Sequence, residues 1–232
     1  MITSKQNTSF KLWQKLKLKK YRDAHDMFLV YGEHLISKAK EHHALVEVIT
    51  SDESKEGTHV DKSLMDDLQQ AETYFDVIGI CKKTNPVKSS NQVLILDDIQ
   101  DPDNLGALLR SAAAFNFLHV IISHKSADAY NEKAIRASKG SLFDVYIERR
   151  PLIDAICELK NQGYHILIAD PHQQGELKKY EKIALVLGNE GHGVSEEIKK
   201  QSDLYVSIET KHVESLNVSV AGAILMYEWR KL

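Results

Sequence analysis

Cysteine is nearly missing from this chain of 232 residues, which has only Cys81 and Cys157, far apart. A disulfide framework or a zinc site needs more ligands at closer spacing, so a reduced, cytoplasmic protein is expected. Long apolar runs are missing too. None approaches the roughly eighteen residues of a bilayer span, and the first residues lack a signal-peptide core, so no membrane partner is expected. His42, His43, His192 and His212 lack metal-ligand spacing, and no metal is expected. There is no Gly-x-Ser-x-Gly elbow, no dinucleotide Gly-x-Gly-x-x-Gly and no P-loop. These absences speak against a serine hydrolase, a nucleotide-dependent oxidoreductase and a nucleoside triphosphatase.

What remains is an ordinary globular mixture, 43% hydrophobic and 27% charged, with a net charge of −3. The charge is unevenly placed. No acidic residue precedes Asp23, whereas Lys15, Lys19, Lys20 and Arg22 crowd the same segment with Trp13 and Tyr21 between them. Such a segment suits contact with phosphates, and equally a solvated helix face.

Helical spacing of Leu12, Trp13 and Leu16 predicts a helix over 10–22. A strand (28–31), a helix (33–42), a strand (45–50), a polar loop (52–61), a helix (62–70) and a strand (74–80) follow, as in a small α/β domain. The polar stretch 82–92, with one of only four prolines, is the best boundary, cut near Ser90. It separates a domain at 1–85 from one at 91–232. Beyond it, short apolar runs at 93–97, 119–123, 144–147, 165–169, 184–188 and 204–208 suit strands buried on both faces. Helices are expected between and after them at 105–115, 131–138, 152–161, 195–201 and 216–230. The fold class is therefore α/β with a mostly parallel sheet, where ligands gather beyond the carboxyl ends of the strands.

Three clusters could carry chemistry. After strand 93–97 comes Asp101-Pro102-Asp103-Asn104, with Asn104 as a helix cap, Gly106 permitting close approach, and Arg110 expected near the same face as Asn104. The alternative role for Arg110 is a simple ion pair with a carboxylate such as Asp101. After strand 184–188 comes G-N-E-G-H-G-V, Gly188 to Val194, whose glycines let a ligand reach the backbone and whose Glu190 would repel a diphosphate. A neutral or cationic ligand fits better. Finally Ser215-Leu216-Asn217 opens a helix rich in small residues, suited to close packing in the core or between subunits.

Together, N-x-G-x-x-x-R, G-N-E-G-x-G-V and S-L-N-V-S-V-A, in that order, resemble the SpoU (TrmH) family of RNA ribose 2′-O-methyltransferases within the SPOUT superfamily. The resemblance covers 91–232, includes R-A-S-K-G-S (136–141), and extends more loosely to residues 10–80 as an RNA substrate-binding domain. It implies a C-terminal trefoil knot, S-adenosylmethionine as methyl donor, a homodimer through the C-terminal domain, and RNA as partner, rRNA in preference to tRNA. By position it implies catalytic roles for Arg110, Asn104, Glu190, Ser215 and Asn217. Cofactor contacts fall on Gly188, Asn189, Gly193, Ile208, Ser215 and Leu216, and RNA contacts on Lys15, Lys19, Lys20, Arg22 and Arg136. The stretch Ile208–Ser215 departs from the family's I-P-M-x-G-x-V-x-S wording: it lacks the Pro, Met and Gly and is one residue shorter. An RNA-binding relative with weak or lost methyl transfer is therefore the alternative.

Overall fold

In the computed structural model, residues 1–71, 73–84, 90–173 and 180–230 are described. The single helix expected over 10–22 is two, α1 (Thr8–Lys15) and α2 (Lys19–His25). Asn7 caps α1 by accepting from Ser9 N and Phe10 N. The buried stripe Phe10, Trp13 and Leu16 ends where Leu18 turns to extended geometry. The break is held by Arg22, whose Nη1 donates to the carbonyls of Leu16 (3.0 Å) and Lys17 (2.7 Å), orphan acceptors at the end of α1.

Next come β1 (Met27–Tyr31), α3 (Glu33–Glu41), β2 (Leu45–Thr50), β3 (Thr58–His59), α4 (Lys62–Leu68) and β4 (Val77–Lys82). They form a four-stranded sheet in the order β1-β4-β2-β3, with β4 antiparallel to β1 and β2. The stretch expected as loop, 52–61, contains β3, which pairs with Ile49 and Thr50. The expected boundary at 82–92 includes 85–89, which lie outside the described residues.

The second sheet is six-stranded and parallel throughout, in the order β10-β8-β9-β5-β6-β7. Its elements are β5 (Gln92–Asp97), α5 (Pro102–Ala114), β6 (His119–Ile122), α6 (Glu132–Ser138), a 3₁₀ turn (Ser141–Phe143), β7 (Tyr146–Arg149), α7 (Leu152–Asn161), β8 (His165–Ala169), β9 (Ile183–Gly188), α8 (Glu196–Lys199), β10 (Leu204–Val206) and α9 (Val218–Trp229). β7 starts two residues later than the apolar run suggested, because the 3₁₀ turn occupies the chain just before it. Gly106 explains the closeness of α5 and α6: a Cβ there would lie 2.3 Å from Ala134 O and 2.6 Å from Ala137 Cβ.

The two sheets share one hydrophobic core, in which Phe28 and Val30 of β1 pack with residues of the larger sheet. Phe28 lies 5.9 Å from Phe143 and 4.8 Å from Tyr130, ring centre to ring centre. After β10 the chain returns from the sheet edge to lay α9 on α5 and β9. A Cβ on Gly222 would meet Leu108 Cδ2 at 2.5 Å and Leu187 Cδ1 at 2.6 Å, so the small residue lets α9 sit directly on the core. Among the described residues no helix is long and apolar enough to cross a membrane.

Candidate active site

Three turns meet at the carboxyl ends of β5, β8, β9 and β10. The start of α5 is capped by Asp101, which accepts from Asp103 N at 2.9 Å, with Pro102 in the first turn where its missing N–H costs nothing. Asn104 is thus inside the first turn and is not the cap expected from the sequence. This leaves its amide to look outward. Asn104 Nδ2 donates to Glu190 Oε1 (3.1 Å), and Asn104 Oδ1 accepts from Asn217 Nδ2 (3.0 Å). One asparagine therefore ties the glycine turn to the start of α9.

Both of its partners have backbone duties. Asn217 caps α9, its Oδ1 accepting from Ser219 N (2.9 Å), Val220 N (3.4 Å) and Ser219 Oγ (2.6 Å). Glu190 faces the free N–H groups ahead of α5, accepting from Gln100 N (3.5 Å) and Asp101 N (3.4 Å), where a carboxylate is favoured by the helix dipole. The turn bearing Glu190 is folded on itself. Asn189 and Gly193 exchange two backbone bonds of 3.0 and 2.9 Å, Asn189 Oδ1 accepts from Gly191 N, and Asn189 Nδ2 reaches Asp98 O at 2.8 Å. Gly193 takes φ +70, and a Cβ on Gly188 would stand 2.2 Å from Gly193 C, so both glycines are required by the turn itself.

Beside this junction lies a cavity of about 600 Å³, within the roughly 300–1,000 Å³ typical of small-ligand sites. Leu187, Val206, Ile208 and Leu225 give it apolar walls, and Gly188, Asn189, Gly193, Ser215 and Leu216 also line it. The cofactor positions expected from the sequence thus share one cavity. Among the described residues its lining carries three carboxylates, Asp170, Glu190 and Glu214, against one lysine, Lys199. The 208–215 loop lines it although its wording is unusual. Thr210 Oγ1 donates to Val213 O at 2.9 Å, and His212 turns with φ +69, a conformation that glycine adopts more cheaply.

Arg110 is not brought to this cavity. Six residues of helix rotate a side chain by about 240° and raise it about 9 Å, so Arg110 is exposed on another face of α5, lining a shallow concavity with Ala107, Ser111 and Ala223. Among the described residues it forms no ion pair, with Asp101 or otherwise. Ser215 is exposed at the cavity mouth.

The basic segment divides. Lys15 and Lys20 stand over the Tyr21 ring at 5.4 and 4.8 Å, and Lys19 pairs with Asp23 at 2.6 Å. Arg22 is corrected as an RNA contact: only 5% exposed, it grips Asp128 at 2.6 and 3.1 Å as well as the end of α1. Trp13 is buried as well. Arg136 is half-exposed on α6, 3.8 Å from Glu132 and 4.0 Å from Asp103. The sequence reading missed Asp170, Thr210 and Glu214 as cavity residues. For Asp170 the signal was its place just past the strand at 165–169.

The SpoU rRNA Methylase family model matches residues 91–227, and the MRM3-like substrate binding domain model matches 7–87. The chain belongs to the SpoU rRNA methylase family. It is 34% identical to the Bacillus subtilis 23S rRNA (guanosine(2553)-2′-O)-methyltransferase RlmP, over 99% of this chain and 98% of the relative. Among solved structures, a TrmH-family protein from Porphyromonas gingivalis superposes with a TM-score of 0.83 at 26% identity, covering 98% of this chain and 99% of that one. The SpoU methyltransferase AviRb from Streptomyces viridochromogenes, in complex with the cofactor AdoMet, also gives 0.83 at 24% identity, covering 97% and 98%. The latter likeness concerns the fold.

Proposed function

We propose that this chain methylates a ribose 2′-oxygen of large ribosomal RNA, with S-adenosylmethionine as donor. The reaction class follows from the family. The preference for rRNA is supported by the relative matched along its whole length, an enzyme of 23S rRNA. The observation that carries the catalytic reading is the bond chain Asn217–Asn104–Glu190, which joins three separate motifs at the mouth of one cavity.

The cavity fits the cofactor on its donor set. Apolar walls suit a base, and the excess of carboxylates over lysine suits a ligand carrying a sulfonium. When bound, S-adenosylmethionine supplies a methyl group already activated for transfer. Residues Gly188, Asn189, Gly193, Ile208, Ser215 and Leu216 would hold it. Asn104, fixed from both sides, orients the ribose, with Glu190 and Asn217 as its positioning residues. Ser215, exposed at the mouth, meets the substrate side. Arg110 lies outside the cavity of its own chain, in the concavity beside the proposed dimer face, so it acts at the cavity of a second copy, where its protonated guanidinium grips RNA phosphate and stabilises the alkoxide as the 2′-proton leaves to water. Residues 1–85 hold the folded RNA through Lys15, Lys19 and Lys20, with Arg136 on the catalytic unit of 91–232.

The proposal includes a trefoil threading of 207–230, a cytoplasmic setting, and a homodimer through α9 and its neighbours. The dimer is supported by the exposure of Val220 and Tyr227 beside the shallow concavity. The test is methyl transfer from labelled S-adenosylmethionine to rRNA with Arg110→Ala. Activity should vanish while the melting curve and mass in solution are kept. Full retained activity would remove Arg110 from the mechanism, and methylation of tRNA but not rRNA would overturn the substrate.

A further inference from the structure

Asp170 follows β8 directly and is 8% exposed, yet it lines the cavity. Its backbone is fixed, with N donating to Val206 O at 3.0 Å and O accepting from Gln173 N at 3.4 Å. Oδ1 accepts from His172 N at 2.9 Å. Among the described residues Oδ2 has only Lys199 Nζ at 3.6 Å, too far for a good hydrogen bond, and Lys199 is drawn away by Glu196 at 3.0 Å. Oδ2 is therefore left at the cavity with acceptor capacity that a ligand donor can fill.

The surroundings select the donor. β8 neighbours β9, the strand whose end carries the glycine turn. In parallel α/β folds, the acidic residue that accepts ribose hydroxyls likewise occupies the strand end beside the glycine-rich one. A cation placed at Oδ2 would face the Lys199 ammonium, 3.6 Å from that oxygen. A neutral pair of hydroxyls would not.

We propose that Asp170 accepts hydrogen bonds from the 2′- and 3′-hydroxyls of the cofactor's adenosine ribose and so sets the selectivity of the cavity for ribonucleosides. This inference rests on the cofactor reading above. It assigns Asp170 a binding role, with no part in the bond-making step.

The test is calorimetric and needs no RNA. S-adenosylhomocysteine, its 2′-deoxy and 3′-deoxy forms, and the same nucleoside without the amino-acid tail are titrated into wild type and Asp170→Asn. Wild type should lose roughly ten- to a hundredfold in affinity when a contacted hydroxyl is removed, as expected for hydrogen bonds to a charged group. Asp170→Asn should bind the parent weakly and lose little more from either deoxygenation. Equal sensitivity to deoxygenation in both proteins overturns the proposal. So does a variant that is impaired only toward ligands with the amino-acid tail, which would give Asp170 to the ammonium. Failure of the wild type to bind either S-adenosylhomocysteine or S-adenosylmethionine would overturn this inference and the cofactor reading together. Melting curves of both proteins guard against a folding defect, and Asp170→Ala should reproduce the loss of selectivity.

Discussion

Asn217 does two things with one amide, and two substitutions pull them apart. Its Oδ1 caps α9 and its Nδ2 serves Asn104. Asn217→Asp keeps a good capping oxygen and adds a charge favourable to the helix start, so the melting temperature should stay within about 2 °C of wild type. It also sets a carboxylate oxygen against Asn104 Oδ1, now only 3.0 Å from the Asn217 nitrogen. If Asn104 turns over to donate, its oxygen faces Glu190 Oε1 instead, so one acceptor meets another either way. Because residue 217 is exposed, the repelling oxygens separate into water at little cost in stability, but holding Asn104 in its wild-type orientation then costs about 1–3 kcal/mol, or about ten- to a hundredfold in methyl transfer if Asn104 orients the ribose. Asn217→Ala does the reverse. It loses the cap, about 1 kcal/mol, and about 2–4 °C in a protein of this size, but water can fill in for the missing donor at half-exposed Asn104. The expected order of stability is wild type and Asn217→Asp above Asn217→Ala. The expected order of activity is wild type, then Asn217→Ala, then Asn217→Asp. Circular dichroism melts and labelled-methyl transfer to rRNA read the two orders. Activity that simply follows stability would refute the reasoning.

Arg22→Ala should cost about 3–5 kcal/mol in urea unfolding, because it strands partly buried Asp128 and the last carbonyls of α1; a change below about 1 kcal/mol would show that the ion pair is not needed to join the two sheets. Burial pushes the Cys81 thiol up to about 12, so a thiol reagent at pH 8 should titrate exposed Cys157 alone in the native protein. The same shift sets a pH dependence. The unfolded chain releases the Cys81 proton above about pH 9 while the native state keeps it, so this contribution is intact below that pH and falls above it, by at most about 1.4 kcal/mol per unit. Stability that rose between pH 9 and 10 would contradict that sign.

Where the apolar pattern was continuous, the fold was legible in the sequence. The strand at 165–169 matches residue for residue, since a short run buried on two faces leaves little alternative; 45–50 matches likewise, although only Ile49 and Thr50 of it are buried. Chain breaks set by distant partners were not legible. The helix over 10–22 ends early because Arg22 turns inward to Asp128, 106 positions away, and no local rule contains that partner. The same contact removed Arg22 from the surface on which its neighbours suggested it lay. The cap of α5 was legible and misread: Pro102 in the first turn points to Asp101 as the capping residue. Arg110 was misplaced by treating six residues as nearly whole turns, when helix geometry carries it to another face.

Polar residues at the junction of the motifs, with Arg110 on the neighbouring face of α5, fall into two sets, and the division argues for what each can do. Asp97 accepts from Ser195 N at 2.9 Å, Asn189 closes its own turn, Glu190 serves the backbone ahead of α5, and Asn217 caps α9. Each is held by N–H groups that would otherwise go unserved, so moving any of them toward a ligand would strand a donor. Their work is therefore to fix geometry, which an in-line transfer needs to within a fraction of an ångström. The second set, Ser215, Glu214 and Arg110, carries no described side-chain hydrogen bond within the chain and is exposed. Only such side chains can exchange water for substrate without a structural cost, so contact with RNA falls to them. Asn104 belongs to both sets. It has no backbone duty, is gripped from two sides, and is still half-exposed, which makes it the one amide of the bond chain able to pass that rigidity to the substrate.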